Sequence, residues 1–447
     1  MDTLPAEKQR GRSGFCIDGQ GRYIKTKKVE GVVVKLESRR WLILAMGIFA
    51  NMCQGAVYAS SVFAKPLQAY LHLTPVDWSW VFSVNLACLP LGMLLSGKIA
   101  DALSSRGVVA VGGLLFGLGM LLSGFAHSLT WVLCCFGVLM GVGSGAAYGA
   151  IVSTSVRWFP DMRGLAGGLS VGALGIGTLV IAPVGQYLMA NAPQGEPPVL
   201  WAFKALGVAF VLVIAVASIF MKPPPAGYKP EGWEPKAGAP GSATANNYEW
   251  KQLFGRPEFW TLYLMYACGA FSGLMVISQA SQIAQKMTKL SPAQAVAIVS
   301  LIGLANALGR VFWGFVSDRI GRLNSLLAMF VITGATMFFL PELALSYWTL
   351  LFGALLVGAC FGGYLGIFPS VAADYFGVKN LTVNYALLFS AFSVAAIAGP
   401  RVAGKIVQST GSYAQAFVVA GVVCVAGALL TLVAASLAKW AKAKTAV

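Results

Sequence analysis

The chain has 447 residues, of which 57% are apolar and only 11% are charged. Its mean hydropathy is +0.73. A soluble domain needs a charged shell, so this balance excludes an ordinary water-soluble protein and fits a chain whose outer surface faces lipid. The formal charge of +16 raises the question of nucleic acid, which the placement of the basic residues answers below.

Residues 1–40 carry ten Lys/Arg and no long apolar core, so they read as a polar tail and not as a secretory signal. A spanning helix needs about 20 apolar residues. Stretches of this kind fall at 41–63, 78–100, 107–126, 130–153, 164–189 and 199–221. A segment rich in Pro, Gly and polar residues, 222–256, cannot span and reads as a linker. Six more stretches follow at 257–284, 292–316, 323–340, 346–373, 382–406 and 414–438, and then a tail at 439–447. The expected fold is an all-α membrane protein of twelve helices, with halves at 41–221 and 257–438.

Alternate loops divide the basic residues unevenly. With the N-terminus inside, the inner side holds 25 Lys/Arg and the outer side six, leaving Arg310 within a helix. This asymmetry places both termini in the cytoplasm, and the inner (plasma) membrane is the expected location. It also accounts for the positive charge with no nucleic acid. Seven of the eight cysteines lie in apolar stretches, and there are only two histidines. No metal or cofactor is therefore expected, nor an enzyme, since no cluster of acid, base and nucleophile lies within the helices.

The halves repeat at an offset of 217 residues. Gly97 and Asp101 map to Gly314 and Asp318, the triplet Gly141, Gly145, Gly149 to Gly358, Gly362, Gly366, and Pro183 to Pro400. Internal repeats of this kind build a central site that opens alternately to each side of a membrane.

Two segments, GKIADALSSR (Gly97–Arg106) and GFVSDRIGR (Gly314–Arg322), resemble the loop motif of the major facilitator superfamily. The resemblance implies a gate element built from Gly97, Asp101, Arg106, Gly314, Asp318, Arg319 and Arg322. Physically, the glycines permit close helix approach, and an Asp can meet a helix N-terminus or a neighbouring Arg. The segment WFPDMRGLAGGLSVGALGIG (Trp158–Gly177) is similar to the helix 4–5 signature of the monocarboxylate transporters and oxalate/formate exchangers. That implies carriage of a small carboxylate.

Arg310 is the one basic residue deep inside a predicted helix. Eight residues before Asp318, it lies about 12 Å from the helix end. All 16 Asp/Glu lie in tails, loops or helix ends, so none is placed to neutralise it. Intramembrane charges mark a pathway, and a guanidinium matches a carboxylate two-to-two. A negative substrate would complete the pair. The bland alternative is an Arg held by backbone carbonyls or a helix-end acid. Its repeat mate is Met93, so the architecture of both halves does not demand it.

Proton-coupled carboxylate transporters carry an Asp where this chain has Asn306, one turn before the Arg. The obvious proton carrier is thus missing. Exchangers of doubly charged oxalate carry a second cation in helix 11, where Phe392 stands here. One cation favours a monocarboxylate such as lactate or pyruvate. The family pattern also places Tyr58, Tyr148 and Tyr364 at inner-facing positions, with Asn51, Gln54, Leu174, Asn384 and Tyr385 behind them. For each, aromatic or ordinary packing is the competing role.

The sequence therefore predicts a monomeric secondary transporter of small monocarboxylates, coupled to protons. Carboxylate exchange is the close alternative. A drug exporter is the distant one, on the similarity of GIGTLVIAPVGQ (Gly175–Gln186) to an antiporter motif.

Overall fold

The computed structural model describes residues 15–17, 23–25, 27–225, 227–230, 233, 247–277, 283, 292–343, 346–410 and 412–445. Twelve helices among them are long and apolar enough to cross a membrane. They are α1 (Ser38–Ser60), α2 (Trp80–Gly97), α3 (Leu103–Ser123), α4 (Leu129–Trp158), α5 (Arg163–Ala190) and α6 (Pro198–Phe220), then α7 (Pro257–Ile277), α8 (Ile298–Ile320), α9 (Arg322–Pro341), α10 (Tyr347–Phe376), α11 (Leu381–Thr410) and α12 (Ala414–Ala438). A two-stranded antiparallel ribbon, β1 (Phe15–Ile17) and β2 (Tyr23–Lys25), lies in the polar N-terminal tail. The helix carrying α1 begins at Lys27, well before the predicted start. The final residues predicted for α7 lie outside the described residues.

Local chemistry sets the helix ends. Ser128 caps α4 by accepting from the Trp131 N–H. Ser346 and Thr349 form a reciprocal box at the start of α10. Gly377, at φ 84°, turns the chain out of α10, and Ser104, at φ 57°, kinks the chain at the start of α3 where it leaves α2. A π-helical stretch, Leu133–Leu139, shifts the phase of α4 before its glycine face begins.

The sequence repeat is also a repeat of packing. A Cβ at Gly145 would overlap the carbonyl oxygen of Leu89 on α2, and one at Gly362 would overlap that of Asn306 on α8. Gly141 sits against Asn85, and Gly358 against Ile302. Each partner pair again differs by 217 residues. The glycine triplets therefore let α4 lie directly on the α2 backbone, and α10 on α8.

The two halves meet chiefly where α5 crosses α8 and where α2 crosses α11. Gly164 lies against Gly314, Gly168 against the Arg310 backbone, and Gly175 against Ala307, so α5 and α8 touch from one end to mid-membrane. Gly97 packs on Val383 of α11 at the same end. This is the end from which the 222–256 linker leaves, and there the halves are closed.

Candidate functional site

Arg310 leaves α8 at the junction of the halves and is 5% exposed. It does not face lipid. Its Nε donates to Asn306 Oδ1 at 3.0 Å, and its Nη1 donates to the Val171 carbonyl of α5 at 2.7 Å. A guanidinium has five N–H donors, so three remain. No Asp or Glu among the described residues pairs with it. The buried cations elsewhere are matched: Arg40 meets Asp161 at 3.0 Å, and Arg163 meets Asp374. The alternative reading from sequence is thus partly met, by one carbonyl, while most of the donor capacity stays open.

Three tyrosines converge on this charge. Tyr148 of α4 and Tyr385 of α11 join hydroxyl to hydroxyl at 3.2 Å across the two halves. Tyr266 of α7 stacks on Phe368 of α10, with ring centroids 4.0 Å apart and planes 9° off parallel. All three hydroxyls lie within electrostatic reach of Arg310. Phe389 and Phe392 of α11 fill the remaining wall, 5.1 Å apart, and both contact the Tyr266 ring. Tyr58 is half-buried near Tyr148, and Leu174 is buried on α5.

Tyr364 is not brought to the site. Its ring lies on Gly269 and Phe330 and is surrounded by Cys268, Cys360, Cys424 and Thr333, inside the second bundle. Phe361 and Phe368, on the neighbouring face of α10, point to the aromatic wall instead. The family pattern singled out Tyr364 among the tyrosines of α10, and its ring turns away from this cluster. The sequence reading missed Tyr266, because a Tyr in an apolar helix carries no signal of its own. Asn51 and Gln54 join each other and Ser144 in a buried network within the first bundle, and Asn384 donates to the Tyr248 carbonyl of the linker.

The closed end is a charged latch. The Asp318 carboxylate accepts from the Gly164 N–H at 2.9 Å and the Leu165 N–H at 2.8 Å, so a helix of one half caps the N-terminus of α5 from the other. Arg322 bridges Asp318 at 2.7 Å and Asp374 at 3.0 Å, and Asp374 also holds Arg163. Gly314, Asp318 and Arg322 are therefore brought together as the motif implied. Arg319 instead lies over Phe315 of its own helix, and Arg106 is exposed. The side chain of Asp101 lies outside the described residues. Asp374, at the inner end of α10 and outside the loop motif, is the centre of the latch.

Replacing Asp374 with Asn is expected to lower stability by about 3 kcal/mol, because two buried guanidinium groups lose a counter-charge. Thermal unfolding in detergent measures this, and an unchanged midpoint would show that the latch contributes little.

Twelve spans in two repeated bundles, closed at one end and holding a central cation with no acidic partner among the described residues, define a multi-pass membrane transporter. The chain matches the family model described as Major Facilitator Superfamily over residues 44–305 and 270–445, and it belongs to that family. The oxalate:formate antiporter of Oxalobacter formigenes is 26% identical over 403 residues, covering 89% of this chain and 92% of that protein. Monocarboxylate transporter 12 of Xenopus laevis is 25% identical, covering 85% of each. In fold, the chain is similar to the transporter FucP in its outward conformation, with a TM-score of 0.66 at 14% identity over 89% of this chain and 99% of that one.

Proposed function

We propose that this protein is a secondary active transporter of small monocarboxylates of the lactate or pyruvate kind, moved together with a proton by alternating access. The observation that carries the reading is the Arg310 guanidinium. It is buried between the halves, held in place by Asn306 and Val171, and keeps three donors with no protein counter-ion among the described residues. A carboxylate neutralises it and lowers the cost of closing the site. Relatives named as a monocarboxylate transporter and an oxalate:formate antiporter support the substrate class. A single charge fits best, because Phe392 stands in the aromatic wall where a second cation would be needed.

A carboxylate carried with one proton moves no net charge, so a pH gradient drives it without an acidic side chain. Exchange of one carboxylate for another is the second reading. Asn306 favours it, since no side-chain carboxylate stands beside Arg310 to carry a proton. The inner membrane, cytoplasmic termini and a single-chain working unit belong to this proposal and rest on the uneven Lys/Arg distribution and the one-chain site.

The test is labelled lactate and pyruvate uptake into proteoliposomes, with an acid-outside gradient and, separately, with internal carboxylate at equal pH. Uptake driven by the gradient supports symport. Uptake only against internal substrate supports exchange. No uptake of any monocarboxylate in either arrangement sinks the carboxylate reading.

A further inference from the structure

The Tyr266 hydroxyl has no role in the fold described so far. Tyr266 is fully buried, and its oxygen has no hydrogen-bond partner among the described residues. It lies beside the Tyr385 hydroxyl, whose bond is made to Tyr148 across the halves. The ring cannot swing away to find water, because it is stacked on Phe368 and walled by Phe389 and Phe392. Leaving a buried donor unmet is costly, and such orphans ask for an explanation. In packing alone a phenylalanine would serve better here.

Tyr266 and Arg310 come from different helices of the same half, and the hydroxyl lies within reach of the guanidinium field. The Tyr148–Tyr385 pair stands beside them. That pair shares one of its two protons in its own bond, leaving the other free to donate. The rest of the wall is aromatic and apolar. Such a site offers a charged fork for a carboxylate, a neutral donor close to it, and an apolar surface for a short alkyl end.

We propose that Tyr266 is the specificity-determining residue of the site, donating its hydroxyl proton to the oxygen on carbon 2 of a 2-oxo or 2-hydroxy monocarboxylate. This inference rests on the carboxylate reading above and narrows it. An unsubstituted acid of equal length leaves the Tyr266 hydroxyl buried and unmet, so it is discriminated against. Sites built to hydrogen-bond a substrate oxygen reject the analogue lacking it far better than apolar pockets sort by size.

Proteoliposome uptake of pyruvate, lactate and propionate, compared in wild type and Tyr266→Phe, tests the idea. The variant keeps the ring and its stack on Phe368. Wild type is expected to take pyruvate and lactate with a KM about tenfold below that of propionate. Tyr266→Phe is expected to raise the KM for pyruvate and lactate about tenfold while leaving propionate unchanged. A variant that slows all three equally shows a structural role and overturns the proposal. Equal handling of the three acids by wild type overturns it too, while leaving carboxylate transport intact. If wild type carries none of the three, the broader reading fails and this one falls with it.

Discussion

Replacing Arg310 with Gln is expected to reduce lactate uptake about a hundredfold or more, with the protein still folded. Truncating one partner of a buried charge pair costs a few kcal/mol, and here the partner is the substrate. Glutamine can still bond Asn306, so the local packing of α8 and α10 should hold. Arg310→Lys keeps the charge but offers it as a point on a flexible stem. It cannot hold Asn306, the Val171 carbonyl and a two-pronged carboxylate in one plane, as the fork does. An intermediate loss of about tenfold is expected, appearing mainly in KM. Uptake in proteoliposomes, alongside size-exclusion profiles and melting midpoints, separates lost binding from lost folding. If both variants carry substrate as well as wild type, the site is elsewhere.

The second large effect should come from Gly168, which touches no substrate. A Cβ at this position would overlap the carbonyl oxygen of Arg310 and press on the Val311 backbone. Both contacts are backbone, so neither can yield by a rotamer change. Gly168→Val therefore wedges α5 away from α8, and overpacking of this kind costs about 1–3 kcal/mol. The wedge acts only when the halves are closed at the linker end. The equilibrium should shift toward the state open there, and transport should fall by about tenfold or more, since each cycle must pass through both states. A Ser317→Cys reporter, at a position buried inside the latch, should become more reactive toward thiol reagents in the Gly168→Val background. Unchanged reactivity and full transport would show that α5 and α8 need not meet this closely during the cycle.

Arg310 was legible from sequence because the bilayer makes a charge within a helix conspicuous, and because every acid stood far away. Its neighbours were much less legible. Asn306 could be placed by helical spacing alone, one turn from Arg310, and the structure joins them. Tyr148 and Tyr58 were placed by resemblance, and the structure sets Tyr148 against Tyr385 of the other half with Tyr58 near it. Tyr364 was placed on the same grounds and lies instead on Phe330, inside the second bundle. In a helix apolar all round, periodicity does not say which face meets the cavity. Tyr266 and Asp374 escaped notice for related reasons. Tyr266 is ringed by apolar residues in its own helix, and Asp374 acquires its role only from Arg163 and Arg322, 211 and 52 residues away.

What the sequence determined by itself was the count of spans, their repeat and the presence of one unmatched cation. Span count follows from the fixed thickness of the hydrocarbon, which turns composition directly into length. The repeat follows from glycines that backbone contact requires, so Gly145 on Leu89 and Gly362 on Asn306 left a readable trace. Which side chains face one another across the halves was decided only by the tertiary structure. The Tyr148–Tyr385 bond, the capping of α5 by Asp318 and the orphan hydroxyl of Tyr266 depend on helix rotations of tens of degrees. Those rotations are set by packing among twelve helices, and no local pattern in the chain encodes them.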